Sequence, residues 1–165
     1  MKLFQRKPQF PNQDEAASDL SVMLHSDTQT QTFRNELLDP CEFDYSLDSL
    51  KTLDDFLDTI RKDEEVEKEW NRTVLRAGAY AGEVIRRSNP AMTWHWIDHE
   101  TASKIDPDTW KNFEKSIMTV LVLYRGGKSF CFPLGKVHKF LENGREDSLE
   151  FFAKVMIENW KKEDA

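Results

Sequence analysis

The densest group of side chains able to do chemistry is the stretch HWIDHE, residues 95 to 100. Two histidines one helical turn apart often form a zinc pair. Here the aromatic alternation that begins at Trp94 predicts a strand instead. On a strand, His95 and His99 would lie about 13 Å apart, because each residue advances the chain by roughly 3.3 Å. One metal ion could not bridge that distance, so we predict structural imidazoles and no metal site.

A second candidate is a ligand cleft that combines Tyr80 and Glu83 on one helix with Lys136 and Lys139 on another. Burial of Glu83 opposite a lysine would shift the pKa of its carboxyl group, as happens at many functional sites. The competing interpretation is structural. Glu83 and Arg87 have the spacing of an ion pair on one helix face, which would help to dock a neighbouring element. The sequence leaves both interpretations open.

The sequence offers little evidence for a catalytic nucleophile or a phosphate-binding loop. Cys41 follows a proline in a connecting segment, and Cys131 lies in an apolar stretch, where a thiol behaves as a small hydrophobic group. Two distant, unpaired cysteines are typical of a reducing compartment, so we expect a cytoplasmic protein. The run GGKS, residues 126 to 129, lacks the earlier glycine of a phosphate-binding loop and reads as a hairpin turn. We predict no catalytic residue and no cofactor.

Charge is unevenly distributed along the chain. The net charge is −7, but residues 35 to 69 alone carry −9 and the remainder carries +2. Nucleic-acid binding is disfavoured because it needs a basic surface. Asp48, Asp54, Asp55 and Asp58 could instead present an acidic face to a basic protein partner. The alternative is a solvated helix face without a partner. No apolar run approaches the roughly 20 residues of a membrane span, so no membrane association is expected.

The elements that must position these residues begin with a helix that could start at Asp63 and is expected to end near Ser88, and its most informative stretch is Trp70 to Arg87. Its apolar residues form two adjacent stripes, which predicts a largely buried helix. Gly78 and Gly82 lie one turn apart, and each costs about 1 kcal/mol relative to alanine in a helix. We therefore expect a neighbouring element to pack too closely there for a Cβ atom.

The remaining pattern predicts an α+β fold, with a small antiparallel sheet of about three strands packed on one face against two N-terminal and two C-terminal helices. The expected strands cover residues 92 to 99, 117 to 124 and 128 to 132, with the second in the centre because it is apolar on both faces. The C-terminal helices are expected to be separated by Asn143 and Gly144, with Asp147 and Glu150 as a capping box. Residues 1–43 read as a weakly ordered lead with a short helix from Asp14 to His25, and residues 44–165 as one domain.

Several short motifs resemble an uncharacterised bacterial family in which a GAYxGE helix precedes a tryptophan strand and a KVxK…NGxxDS helix pair closes the domain. The matching residues are Asp44-Tyr45-Ser46 with Ser49-Leu50, Gly78-Ala79-Tyr80 with Gly82-Glu83-Val84, Lys136-Val137 with Lys139, and Asn143-Gly144 with Asp147-Ser148-Leu149. The likeness covers roughly residues 44–158. It implies an intracellular bacterial protein and a fold, with no established activity.

Three functional hypotheses follow. The first is a non-enzymatic protein-binding module, of the immunity or antitoxin kind, whose acidic face receives a basic partner. The second is a small-ligand or enzymatic cleft between the glycine-bearing helix and the helix with Lys136 and Lys139. The third is a self-associating unit in which Trp94 and Trp96 form an exposed patch.

Overall fold

The computed structural model describes residues 10–163, with side chains through Asn159. Helices surround a small antiparallel sheet, which confirms the predicted α+β class. The helices are α1 (Asp14–Ser26), α2 (Ser49–Ile60), α3 (Trp70–Ser88), α4 (His99–Ile105), α5 (Pro107–Trp110), α6 (Pro133–Asn143) and α7 (Leu149–Glu163). The strands are β1 (His95–Asp98), β2 (Leu121–Tyr124) and β3 (Phe130–Cys131). Single 3-10 turns occupy Asn35–Leu37, Pro40–Glu42, Glu64–Glu69, Pro90–Met92 and Arg145–Asp147.

The glycine-bearing helix α3 lies in the middle of the molecule. Every residue from Arg76 to Ile85 is buried. A Cβ atom at Gly78 would lie 2.8 Å from the Cα atom of Leu134 in α6, and one at Gly82 would overlap the indole ring of Trp96 in β1. Both contacts are too close for any side chain, so the predicted close packing against the two glycines is confirmed.

The sheet has the order β1-β2-β3, so β2 is central, as predicted. Both neighbours pair with it in antiparallel fashion, with Trp96 opposite Leu123 and Leu123 opposite Cys131. These three residues belong to the main core, which lies against the long helices. The prediction of a single covered face was wrong, because a smaller second core packs on the other side. Its buried members are Ile97, Ala102, Trp110, Val122 and Tyr124.

The strands are shorter than predicted, for local reasons. β1 ends at Asp98, whose carboxylate accepts the Thr101 N–H at 2.8 Å and so caps α4. Residues 117 to 120 form turns instead of the start of β2. There the Thr119 hydroxyl donates to the Glu114 carbonyl at 2.8 Å and accepts the Ser116 N–H at 3.0 Å. Side-chain bonds of this kind compete with strand formation.

The short helix predicted from Asp14 to His25 is present as α1, and it packs along α3. Ala17 and Leu24 have no exposed surface. Just beyond its C-terminal end, Asp27 pairs with Arg76 of α3 at 2.7 Å. The chain from Asp14 onward is therefore packed against the core helix. A domain boundary near residue 43 stays a prediction, and residues 1–9 of the expected lead lie outside the described part.

The last two helices begin and end through identifiable contacts. α6 stops at Asn143 because Gly144 adopts a φ of +89°, as predicted. The capping box predicted for α7 was wrong. Its first N–H groups are capped from another helix, since Asp54 of α2 accepts the Leu149 N–H at 2.8 Å. No helix within residues 10–163 has the length and apolar character needed to cross a membrane.

Candidate functional site

Glu83 is completely buried in α3, and both of its carboxylate oxygens are engaged. Arg86 donates to them at 2.7 and 2.9 Å, Arg87 at 2.7 Å, and the Trp96 indole N–H at 2.8 Å. Burial raises the pKa of this carboxyl group, but the donated hydrogen bonds outweigh burial, and the pKa lies below its usual value. Glu83 is therefore an ionised carboxylate that fastens α3 to β1.

Tyr80 is also completely buried, and it faces a different part of the molecule. Its hydroxyl donates to Ser49 Oγ at 2.8 Å and accepts the Tyr45 N–H at 2.9 Å. Its ring stacks on that of Tyr45, with centroids 4.9 Å apart. Burial raises the pKa of the phenol. These contacts join α3 to the N-terminal end of α2.

Lys136 and Lys139 line a cavity that includes neither Tyr80 nor Glu83. Lys136 pairs with Asp147 at 2.6 Å, whereas Lys139 is exposed and makes no ion pair with the described residues. The space expected between α3 and α6 is filled, because the two helices touch at Gly78. The four residues predicted for one cleft thus occupy three separate places. A ligand role for the lysines stays a prediction, at a cavity on a different side of α6.

Asp54, one of the four predicted acidic-face residues, is buried with an exposed fraction of 6%. Its carboxylate accepts the Ser148 hydroxyl at 2.6 Å and the backbone N–H groups of Leu149 and Glu150 at 2.8 and 3.4 Å. Burial raises the pKa of this carboxyl group, and the neutral donors reverse only part of the effect. Asp54 is a cap for α7 and contributes little to the molecular surface.

The other three carboxylates of the predicted acidic face all lie near cations. The pairs are Lys51 with Asp48 at 2.9 Å, Arg145 with Asp55 at 2.7 Å and with Asp58 at 3.1 Å, and Lys62 with Asp58 at 3.5 Å. Arg61 also lies 3.9 Å from Asp58, so four cations offset three carboxylates on this face of α2. Its electrostatic attraction for a basic partner is correspondingly weak at physiological salt.

A groove of about 530 Å³ runs beside β3 and between α6 and α7, and we call it the aromatic groove. Its large apolar lining residues are Phe113, Met118, Phe130, Phe132, Phe152 and Met156, with Lys136 and Lys139 on the α6 side. Phe113 is 40% exposed and stacks on Phe132, with centroids 5.6 Å apart. Cys131 also lines it, and burial raises the pKa of its thiol, which therefore stays protonated and is no nucleophile.

The two edges of the sheet differ in the hydrogen-bond partners of their outward-facing N–H and C=O groups. At the β1 edge, Trp96 accepts the Gln13 N–H at 2.7 Å and donates its own N–H to the Asp14 carboxylate at 2.7 Å. At the β3 edge, the Arg125 N–H donates to the Ser129 carbonyl, so these two residues form a hydrogen-bonded pair. Hydrogen-bonded and non-hydrogen-bonded pairs alternate along an antiparallel ladder, so the next pair, Tyr124 and Phe130, is not hydrogen-bonded. The N–H and C=O of Phe130, opposite Tyr124, then point away from β2. No other described residue bonds them, so this edge has no strand partner within the described part of the chain.

The histidines do not form a metal site. His95 lies on β1 with Nδ1 2.8 Å from the Asp14 carboxylate. The prediction that His99 continues the strand was wrong, because it begins α4, where its Nε2 lies 2.9 Å from the Phe113 carbonyl oxygen. Within residues 10–163, no group of three or more histidine, cysteine, aspartate or glutamate side chains could hold a metal ion.

Trp94, just before β1, and Trp96 within it do not form a surface patch. Trp94 is 4% exposed and Trp96 is 0% exposed. The prediction of self-association through these two rings was therefore wrong about their location. Among the described residues, the large exposed aromatic rings are those of Phe113 and of Phe151 in α7, which are 40% and 64% exposed.

Sequence reasoning missed the aromatic groove because its residues come from separate segments that only the tertiary structure joins. One signal was present. The adjacent residues Phe151 and Phe152 point in directions about 100° apart, so on a helix that packs against the core by a single stripe only one of them is expected to be fully buried. An outward-facing aromatic ring on the last helix was therefore predictable.

Comparisons with protein-family models, with curated proteins and with solved structures found no match to this chain. Membership of the uncharacterised bacterial family that the short motifs resemble therefore stays a prediction. The function is inferred below from the geometry of the described residues.

Proposed function

We propose that the protein is a non-enzymatic module that binds a partner protein, and that the partner places an extended segment in the aromatic groove beside β3. The observation that carries the proposal is the open backbone edge at Phe130, bordered by exposed and half-buried aromatic rings. The expected segment alternates apolar and polar residues and includes at least one carboxylate.

The backbone supports this mode of binding. An unpaired strand edge presents N–H and C=O groups that another strand can bond, and natural proteins usually block such edges. Here residues Gln13 and Asp14 block the β1 edge, whereas no described residue bonds the outward-facing groups of the β3 edge. Addition of a partner strand to an exposed edge is a recurring mode of peptide recognition, in which backbone bonds supply affinity and side-chain pockets supply specificity.

The groove side chains support the same class of ligand. Aromatic residues and methionine are enriched in protein interfaces, and methionine adapts its shape to different apolar partners. Phe113 and Phe132 present stacked rings, and Met118 and Met156 contribute flexible walls. Lys139 supplies a positive charge without an ion-pair partner among the described residues. A carboxylate on the incoming segment would complement it.

The acidic face of α2 is the rival contact surface, and it would receive a basic partner. What supports it is the local excess of carboxylates in the sequence around α2. What weakens it is the pairing of Asp55 and Asp58 with Arg145. The two surfaces make opposite electrostatic demands on a partner, so one experiment separates them.

The test selects peptides from a random linear display library on the immobilised full chain and titrates a selected peptide into the isotope-labelled protein. We expect alternating apolar residues with an acidic residue, and amide shift changes centred on Phe130 to Phe132. Lys139→Glu should weaken binding by about 3- to 10-fold, since it removes one exposed ion pair and adds a repulsion. Lys154→Glu, an exposed lysine of α7 outside the groove lining, is the matched control and should have little effect.

A second arm tests the backbone contact directly. Methylation of alternate backbone nitrogens of the peptide should abolish binding in one register and leave it intact in the other, because only every second residue faces β3. Equal effects in both registers would overturn strand addition. Binding that Asp55→Lys abolishes and Lys139→Glu leaves unchanged would assign the contact to α2 and refute the groove.

A further inference from the structure

A second cavity of about 810 Å³ lies on another part of the surface, between the start of β1, the end of α4 and the turn that joins β2 to β3. We call it the turn pocket. Phe10, Ile105 and Tyr124 form its apolar walls, and the rings of Phe10 and Tyr124 meet edge to face with centroids 5.5 Å apart. A cavity of this size, with mostly apolar walls and a few polar groups, is typical of small-molecule sites.

The charged groups of the turn pocket are all basic. Lys104 and Arg125 line it, together with the imidazole of His95 and the hydroxyl-bearing Thr101. Within the described part of the chain, no aspartate or glutamate lines it. Lys104 is exposed and makes no ion pair with the described residues. The His95 imidazole is already bonded to the Asp14 carboxylate, so it is the exposed ammonium group of Lys104 that favours a negative ligand in this cavity.

The backbone around the turn pocket is approachable and conformationally unusual. Gly126 and Gly127 have φ angles of +123° and +54°, and a Cβ atom at either would meet no other atom within 4 Å. Thr93, another lining residue, has a φ of +54°, which is a strained conformation for a β-branched residue. Strain of this kind is often retained where the backbone serves a binding site.

We propose that the turn pocket binds a small aromatic anion, with its ring against Phe10 and Tyr124 and its anionic group near Lys104. A charge-assisted hydrogen bond from a lysine is stronger than a neutral one, and a planar ring packs favourably against aromatic side chains. The site is independent of the aromatic groove, so either proposal can fail without the other.

The experiment compares charged and neutral forms of the same ring on the isotope-labelled full chain. Indole-3-carboxylate is paired with indole-3-carboxamide, and adenosine monophosphate with adenosine, so that carboxylate and phosphate sources are distinguished. We expect at least one anion to bind about fivefold or more tightly than its neutral partner, with amide shift changes at residues 101 to 104 and 126 to 127. Preference for either anion supports the proposal and names its anionic group.

Lys104→Gln should remove this preference, while Lys111→Gln, an exposed lysine outside the pocket, should keep it. An unchanged amide spectrum in the absence of ligand, away from the substituted residue, shows that each variant is folded. The proposal is overturned if each anion binds no better than its neutral partner. It is also overturned if the shift changes fall in the aromatic groove or if Lys104→Gln has no effect.

Discussion

Glu83 and Asp54 are both buried carboxylates on core helices, yet their pKa values move in opposite directions. Glu83 is 0% exposed and meets two guanidinium groups and an indole N–H. Asp54 is 6% exposed and meets one hydroxyl and two backbone N–H groups. The pKa of the Glu83 carboxyl group is lowered, and that of Asp54 is raised.

Burial raises the pKa of both groups, so the difference comes from their partners. Arg86 and Arg87 bring positive charge to Glu83, and their partial exposure keeps much of that charge in water. Asp54 has only the dipoles at the start of α7, which stabilise a negative charge less strongly. For these two carboxylates, the pKa is lowered where arginines are the partners and raised where the partners are neutral donors.

The largest expected effect is that of Glu83→Gln. The substitution keeps an acceptor for the Trp96 indole but removes the carboxylate that pairs with two guanidinium groups, of which Arg86 retains only Asp14, at 3.9 Å. We expect the free energy of unfolding to fall by about 2–4 kcal/mol, measured by urea denaturation. Glu146→Gln, at an exposed glutamate that has no ion pair within the described residues, should change it by less than about 0.5 kcal/mol. A loss below about 1 kcal/mol for Glu83→Gln would show that the arginines contribute little.

Gly82→Ala tests the geometry that brings Trp96 to Glu83. In an open helix this change would stabilise by about 1 kcal/mol. Here the new Cβ atom would overlap the Trp96 indole, which must move away from the carboxylate. We expect a net loss of about 1–3 kcal/mol and a changed near-ultraviolet tryptophan spectrum. Asn71→Ala, at an exposed position of the same helix, should be neutral or stabilising. A stabilised Gly82→Ala protein with an unchanged spectrum would disprove the close contact.

Much of this fold was predictable because its strongest signals are local. The two stripes of α3 and the two glycines one turn apart required a buried helix with close neighbours, and Leu134 and Trp96 fill those places. The end of helix α6 at Gly144 was equally predictable from the sequence. Strand ends were not, since the side chains of Asp98 and Thr119 form local hydrogen bonds that end or replace the ladder.

The candidate site was less predictable because the contacts of its side chains include residues that are distant in the sequence and that only the tertiary structure brings near. Spacing along α3 indicated the contact between Glu83 and Arg87, and the structure contains it. Nothing local indicated that Asp54 would leave the surface to cap a helix more than 90 residues away, as its bond to the Leu149 N–H shows. The open edge at Phe130 likewise depends on the short length of β3 and on what packs around it.

Asp54→Asn should have a smaller effect than Glu83→Gln. Asparagine retains one acceptor for the N–H groups of α7 and removes a charge that burial disfavours. We expect a loss of about 1 kcal/mol in the free energy of unfolding. Asp48→Asn is the control, since Asp48 occupies the N-cap of α2 without a side-chain capping bond and should matter by less than about 0.5 kcal/mol. A loss of about 3 kcal/mol or more would mean that Asp54 is stabilised as an anion.

The smallest expected effect is the pH dependence of stability. It discriminates best, because the contributions of Glu83 and Asp54 should change in opposite directions with pH. The lowered pKa of Glu83 means that folding favours its ionised form, so its contribution is present above the unfolded-state pKa and is lost as pH falls through the folded-state pKa. The raised pKa of Asp54 means that folding favours its protonated form, so its contribution is present below the unfolded-state pKa and is lost as pH rises through the folded-state pKa.

Urea denaturation between about pH 7 and about pH 4, where carboxyl groups begin to titrate, should therefore separate the two residues. On acidification below the unfolded-state pKa, the stability difference between the wild-type protein and Glu83→Gln should begin to shrink, because the unfolded chain takes up a proton at Glu83 before the folded protein does. The difference between the wild-type protein and Asp54→Asn should instead grow in favour of the wild-type protein. If both differences shrink, Asp54 is stabilised as an anion in spite of its burial, and neutral donors at a helix terminus suffice to keep a buried carboxylate ionised.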